Sequence, residues 1–159
     1  MLRPALLLST LLALAAALAG GATHYIPNTD VEDSDENRKL VQFCERYRHA
    51  VELKDVNTLL KLAAPNYYED GGNVDPADDL DYAGLKQYLS TKYQDATAIR
   101  YEIRYRRVLA ESGRIFVDYT YSASYRIPGT KGEEWRRRVE DNRLELVPFQ
   151  DEFRIVAGM

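Results

Sequence analysis

Apolar residues in this chain keep a helical spacing as far as Tyr93 and then change to strict alternation, and this switch limits what the chain can fold into. Recurrence at i, i+3, i+4 and i+7 marks amphipathic helices, whereas a period of two marks strands with one buried face. Helices that precede a run of long alternating segments predict an α+β domain with segregated layers and an antiparallel sheet.

The first helix is expected over residues 37–53. At about 100° per residue, Leu40, Phe43, Cys44, Tyr47 and Val51 fall on one stripe, with Tyr47 at its middle. His49 falls on the opposite, wet side. Cys44 reads as a small core hydrophobe. A short break at Lys54 and Asp55 leads to a second helix that Asp55 caps and Pro65 ends, with Val56, Leu59, Leu60 and Ala63 on its apolar face. The segment Asn66-Tyr67-Tyr68-Glu69-Asp70 follows directly. Asp81 is placed to cap a third helix over residues 82–93, with Leu85, Tyr88 and Leu89 facing inward.

Strands are expected over residues 98–110, 115–127, 133–147 and 153–159, with turns at Ser112-Gly113, around Gly129 to Gly132, and around Gln150-Asp151. In the first strand the apolar phase slips between Tyr105 and Val108, which predicts a bulge at Arg106-Arg107. In the third strand Trp135 and Val139 share one phase and Leu144 and Leu146 the other, which predicts a second bulge near Asp141-Asn142. Bulges curve a sheet, and a curved sheet needs a body to wrap. The Leu40 to Val51 stripe is that body, so the architecture expected is N-terminal helices in the concavity of a curved, bulged antiparallel sheet.

Residues 1–22 read as an export signal. A basic start at Arg3 precedes a Leu/Ala run over residues 5–18, interrupted only by Ser9 and Thr10. This run is near the ~7–15 residues of a signal-peptide core and short of the ~20 that span a bilayer. Ala17-Leu18-Ala19 and Gly20-Gly21-Ala22 both offer small-x-small cleavage sites. Leu18-Ala19-Gly20-Gly21 is similar to a lipoprotein box, except that Gly21 stands where the acylated cysteine belongs, so no lipid anchor is expected. Residues 23–36, with Pro27 and the acids Asp30, Glu32, Asp33, Asp35 and Glu36, read as a polar linker. The domain is then residues 37–159.

A formal charge of −4 argues against nucleic acid, whose binders carry a basic excess. The single cysteine excludes an internal disulfide, and two histidines without metal-ligand spacing point to no transition metal. The acids Glu69, Asp70, Asp75, Asp78, Asp79 and Asp81 do not follow the calcium-loop pattern. No cofactor is expected. Twelve tyrosines are the unusual count, and their apolar bodies with polar tips suit the walls of a semi-polar cavity. Tyr101, Tyr105, Tyr119, Tyr121 and Tyr125 share strand faces, and with Trp135 they form the expected lining for a flat, hydrophobic or aromatic ligand.

The run from Tyr47 to Leu60, the segment Ala64 to Asp70, the pair of hairpin strands around Arg143-Leu144-Glu145-Leu146, and the closing Phe153 to Met159 together resemble the nuclear transport factor 2-like superfamily. That superfamily includes ketosteroid isomerase and polyketide cyclases and shares a cone-shaped, cystatin-like α+β roll. The resemblance implies a cavity under the sheet and a homodimer through the sheet. It also implies a catalytic alternative, in which Tyr47 resembles the tyrosine that stabilises an enolate and Asp70, or Glu69 beside it, resembles the proton-moving base. The strand position of the third catalytic group holds Val139, and only a two-residue slip brings Asp141 there. Three functions are therefore open: small-molecule binding, acid–base isomerisation or cyclisation, and a protein-interaction module that dimerises through its sheet.

Cleavage after Ala19 removes only Arg3 among the charges and leaves −5. The mature chain is expected in the periplasmic or secreted fraction, beginning at Gly20 or Thr23 by intact-mass measurement. A lipid-modified, membrane-bound product contradicts this reading.

Overall fold

The computed structural model describes residues 23–71, 75–94 and 96–159. The export signal expected over residues 1–22 lies outside them. Three helices precede a four-stranded antiparallel sheet: α1 (Asp35–Glu52), α2 (Val56–Leu62) and α3 (Tyr82–Lys92), then β3 (Ala98–Glu111), β4 (Arg114–Gly129), β5 (Gly132–Phe149) and β6 (Glu152–Ala157). A two-residue pair, β1 (Tyr68–Glu69) with β2 (Leu80–Asp81), closes the segment between α2 and α3. The large sheet is a meander in the order β3-β4-β5-β6.

Local chemistry starts and stops the helices: the Asp55 and Asp81 caps are as expected, whereas α1 starts two residues earlier than expected, behind Ser34. Ser34, Asp55 and Asp81 each cap a helix by accepting from the backbone N–H three residues on. α1 ends in a Schellman motif, with Lys54 N–H donating to Val51 O and Asp55 N–H to Ala50 O. Lys54 adopts a φ of 57° there, and its ammonium group donates to Ala96 O at 2.6 Å, which offsets the strain of a left-handed lysine. Leu40, Phe43, Cys44, Tyr47, Ala50 and Val51 form the buried stripe of α1. They pack with Leu59, Leu85, Leu89, Val117, Leu144, Leu146 and Ile155 into one core. Each fully buried Leu or Phe contributes about 1.5–3 kcal/mol through the apolar surface it removes from water.

The sheet shows one expected bulge and lacks the other. Pairing shifts between Tyr105 and Arg107, so Arg106 is the extra residue, and its guanidinium reaches Thr120 Oγ1 at 2.9 Å. The β4–β5 ladder, however, runs without a shift from Ile115 opposite Leu146 to Gly129 opposite Gly132. No bulge exists at Asp141-Asn142. The remaining irregularity is a shift between Glu145 and Leu146 against β6. The unbroken ladder means that the even-numbered residues from Glu134 to Leu146 oppose the inward residues of β4, while Trp135 and Val139 point to the outer face. There Trp135 is 49% exposed and Val139 53% exposed. The phase was misleading because this end of β5 is wet on both faces, so apolar character does not report direction. Trp135 is stabilised outside by Arg100 and Arg126, whose guanidinium carbons lie 5.0 and 5.9 Å from its ring centre.

Residues 23–34 also depart from the expected linker. Val31 is 2% exposed and belongs to the core. Asp30 binds both Arg104 at 2.7 Å and Arg106 at 2.9 Å, and its N–H donates to Tyr105 O. This acidic segment is a strap on the edge strand β3, where its charge meets two arginines brought close by the bulge.

Gly158 closes the far end of the structure. Its φ is 96°, and a Cβ placed there would lie 1.9 Å from Arg143 O, a backbone atom that cannot swing away. Gly158→Ala is expected to cost about 3 kcal/mol or more, read as a lowered urea midpoint. An unchanged midpoint would show that β6 does not pack against β5 in this way.

Candidate functional site

A cavity of about 500 Å³ opens between α1, α3 and the inner face of β3–β5. Its size is within the range that holds a small organic molecule. α1 contributes Tyr47 and Val51, α2 contributes Leu59, and α3 supplies Tyr88, Leu89 and Lys92, with Tyr93 and Ala96 just beyond. The sheet contributes Ile99, Tyr101, Tyr121, Ala123 and Tyr125, then Arg138 and Asn142 from β5, and Met159 completes the wall. The period-two pattern of β3 and β4 aims these residues inward: Tyr101 opposes Ala123, Ile103 opposes Tyr121, and Ile99 opposes Tyr125.

Phenols dominate the chemistry. Tyr47, Tyr101 and Tyr119 are buried, and their hydroxyls lie near enough to influence one another's ionisation. Asn142 Nδ2 donates to Tyr119 Oη at 3.1 Å and to Gly158 O at 3.3 Å. The rings of Tyr101 and Tyr121 lie 5.3 Å apart in a tilted arrangement, which continues the aromatic wall. Burial pushes the Tyr47, Tyr119 and Tyr93 hydroxyls well above the ordinary phenol range, because a phenolate there would lose its water. These groups are neutral donors and acceptors.

At the mouth, Tyr121 Oη donates to Glu140 at 2.9 Å, and Arg138 Nε meets the other oxygen of Glu140 at 2.6 Å. Glu140 is held below the usual carboxylate range by the Arg138 hydrogen bond first and the Tyr121 hydrogen bond second. Lys92, in the last turn of α3, places its ammonium 5.0 Å from the centre of the Tyr88 ring.

The residues expected in the site are distributed as follows. Tyr47, Tyr101, Tyr121 and Tyr125 line the cavity. Tyr119 lies beneath it as part of the hydroxyl cluster, and Tyr105 is buried farther along, donating to Glu45 Oε1 at 2.8 Å. Trp135 is not in the lining but on the outer face, for the reason of ladder parity given above. Asp70 is exposed and borders a different, polar cavity of about 400 Å³, together with Glu69, Arg114 and Glu145. Glu69 accepts from Tyr67 Oη at 2.6 Å and from Gly158 N at 3.2 Å. Tyr47 and Asp70 are therefore not brought together around one space. The cavity position on β5 belongs to Asn142, whereas Asp141 faces outward and accepts from Thr120 at 2.6 Å.

Sequence reasoning missed Lys92, Tyr93, Arg138, Glu140 and Asn142. The signal for the β5 residues was present in the parity of Leu144 and Leu146, which are buried at 0% exposure and share a face with Asn142, Glu140 and Arg138.

This arrangement of helices and curved sheet with a cavity between them is the nuclear transport factor 2-like fold. Kfla4162 from Kribbella flavida superposes with a TM-score of 0.64 at 16% identity, covering 79% of this chain and 90% of that one. A scytalone dehydratase-like protein from Novosphingobium aromaticivorans also reaches 0.64, at 11% identity with coverage of 77% and 80%. A nuclear transport factor 2-like superfamily protein from Salmonella enterica reaches 0.60 at 9% identity, with coverage of 75% and 84%. No family model and no curated protein matches the sequence.

The buried phenols predict how stability depends on pH. Tyr47, Tyr67, Tyr93, Tyr105 and Tyr119 are all raised by burial, and Tyr121 is pushed up to about 12. Unfolded phenols ionise near ~10, so above that pH the unfolded chain loses protons first. Stability is fully present below about pH 10 and falls as the pH rises toward the folded values. Urea midpoints measured between neutrality and strong alkali are expected to hold and then drop, with tyrosinate absorbance appearing together with unfolding. Ionisation of these residues near pH ~10 in the folded chain would contradict their burial.

Proposed function

We propose that this chain is an exported binding protein that takes a small, flat and partly apolar molecule into the cavity beneath its sheet without chemical change. One observation carries the proposal: the described side chains lining the cavity offer apolar walls, phenols, one amide and two cations, but no carboxylate or imidazole, and the Glu140 carboxylate at the mouth is tied to Arg138 and Tyr121. Such a lining holds and orients a ligand through aromatic contact and neutral hydrogen bonds, and it lacks a group poised near neutral pH to move a proton. The catalytic alternative requires Tyr47 and Asp70 around one substrate, and they border separate cavities.

Ala123, on β4 opposite Tyr101, is the smallest side chain that the sheet contributes to the lining, so enlarging it fills the cavity. Against a panel of planar aromatic compounds, the wild-type chain is expected to gain thermal stability. A compound at a hundredfold excess over its Kd adds about 2.7 kcal/mol. Ala123→Trp is expected to remove that gain while Ala123→Ser keeps it. Equal stabilisation of wild type and Ala123→Trp, or none of the wild type by any compound, would overturn the proposal.

A further inference from the structure

The sign of the charge at the cavity mouth narrows the ligand class, on the basis of the binding reading above. The whole chain is net negative, yet the charged side chains in the described lining are Lys92 and Arg138, both basic. Each has an ordinary structural role. Lys92 sits where the end of a helix favours a cation, and Arg138 pairs with Glu140. Neither role uses up the group. Arg138 meets Glu140 through Nε, and its two terminal amino groups have no hydrogen-bond partner among the described residues. Glu140 is itself tied back by the Tyr121 hydroxyl, so it anchors the guanidinium at the rim of the aromatic wall. The Lys92 ammonium rests over the face of Tyr88, a contact that leaves its N–H donors unmatched by an acceptor.

We propose that the cavity selects aromatic carboxylates: the ring lies among the tyrosines, and the carboxylate stays at the mouth between Arg138 and Lys92. A planar acid suits this division. Its ring replaces water along the apolar wall, and its charge is not carried into the low-dielectric interior, where desolvation would oppose binding. The guanidinium fork is also the side chain whose geometry best matches a carboxylate.

The test is a matched pair of probes, naphthoate and its uncharged amide, titrated calorimetrically into the full mature chain at low and at high salt. Naphthoate is expected to bind roughly tenfold more tightly at low salt, from two exposed charge contacts, with the preference shrinking as salt screens them. In Arg138→Met combined with Lys92→Met naphthoate is expected to lose its advantage over the amide. Lys92→Met alone is expected to lose part of the preference and leaves the Arg138–Glu140 pair in place. Amide binding as tight as naphthoate in the wild type, or a preference that survives the double substitution, overturns this inference while leaving the cavity a binding site. Failure of both probes overturns the inference and counts against the binding reading as well.

Discussion

The long, unshifted pairing of β4 with β5 decides what this protein can do. A one-residue slip in a strand exchanges its two faces, so the register that seats Leu144 and Leu146 in the core also fixes the direction of every residue as far as Glu134. Core burial at one end of the hairpin thereby places Asn142 and Arg138 along the cavity at the other, with Glu140 beside its mouth. The bulge at Arg106 lets the neighbouring strand bend over α1, and the stripe of α1 fills the resulting concavity. Site and core are one construction: the hydrophobic residues hold the register, and the register aims the polar ones.

Tyrosine is the means by which a largely apolar container becomes selective. A phenylalanine wall of the same shape would bury similar area but offer no direction to a ligand. Here each buried hydroxyl needs a partner, and the partners are found within the fold: Tyr105 in Glu45, Tyr67 in Glu69, Tyr119 in Asn142. No buried side-chain nitrogen or oxygen among the described residues lacks one. Low dielectric strengthens these bonds and at the same time keeps the phenols protonated.

Much of this was legible in the amino-acid order, and the rest was obscured for physical reasons. Two helix starts were readable because Asp55 and Asp81 cap through local chemistry, and the α1 stripe because one face of that helix is buried. The first bulge was readable because Tyr105 on one side of it is buried and Val108 on the other is half-buried. The direction of Trp135 and Val139 was not, since neither face of β5 is dry at that point and the ladder alone sets the phase. Likewise, residues 23–34 have the composition of a tether, and only the approach of Arg104 and Arg106 across the chain gives Asp30 its partners. The separation of Tyr47 from Asp70 is a matter of tertiary placement that no spacing encodes.

Asn142 has one property that no hydroxyl in the cluster shares. A tyrosine can reverse, donating or accepting as its neighbours require, but an amide cannot exchange its ends without losing bonds. With Nδ2 committed to Tyr119 and Gly158, and Oδ1 accepting from Arg143 N at 2.8 Å, this amide has one orientation. Tyr119 must then accept on that side, which leaves its own proton to be given toward Tyr101. The hydroxyl of Tyr119 therefore has a polarity set from behind the cavity, in place of a freely turning one.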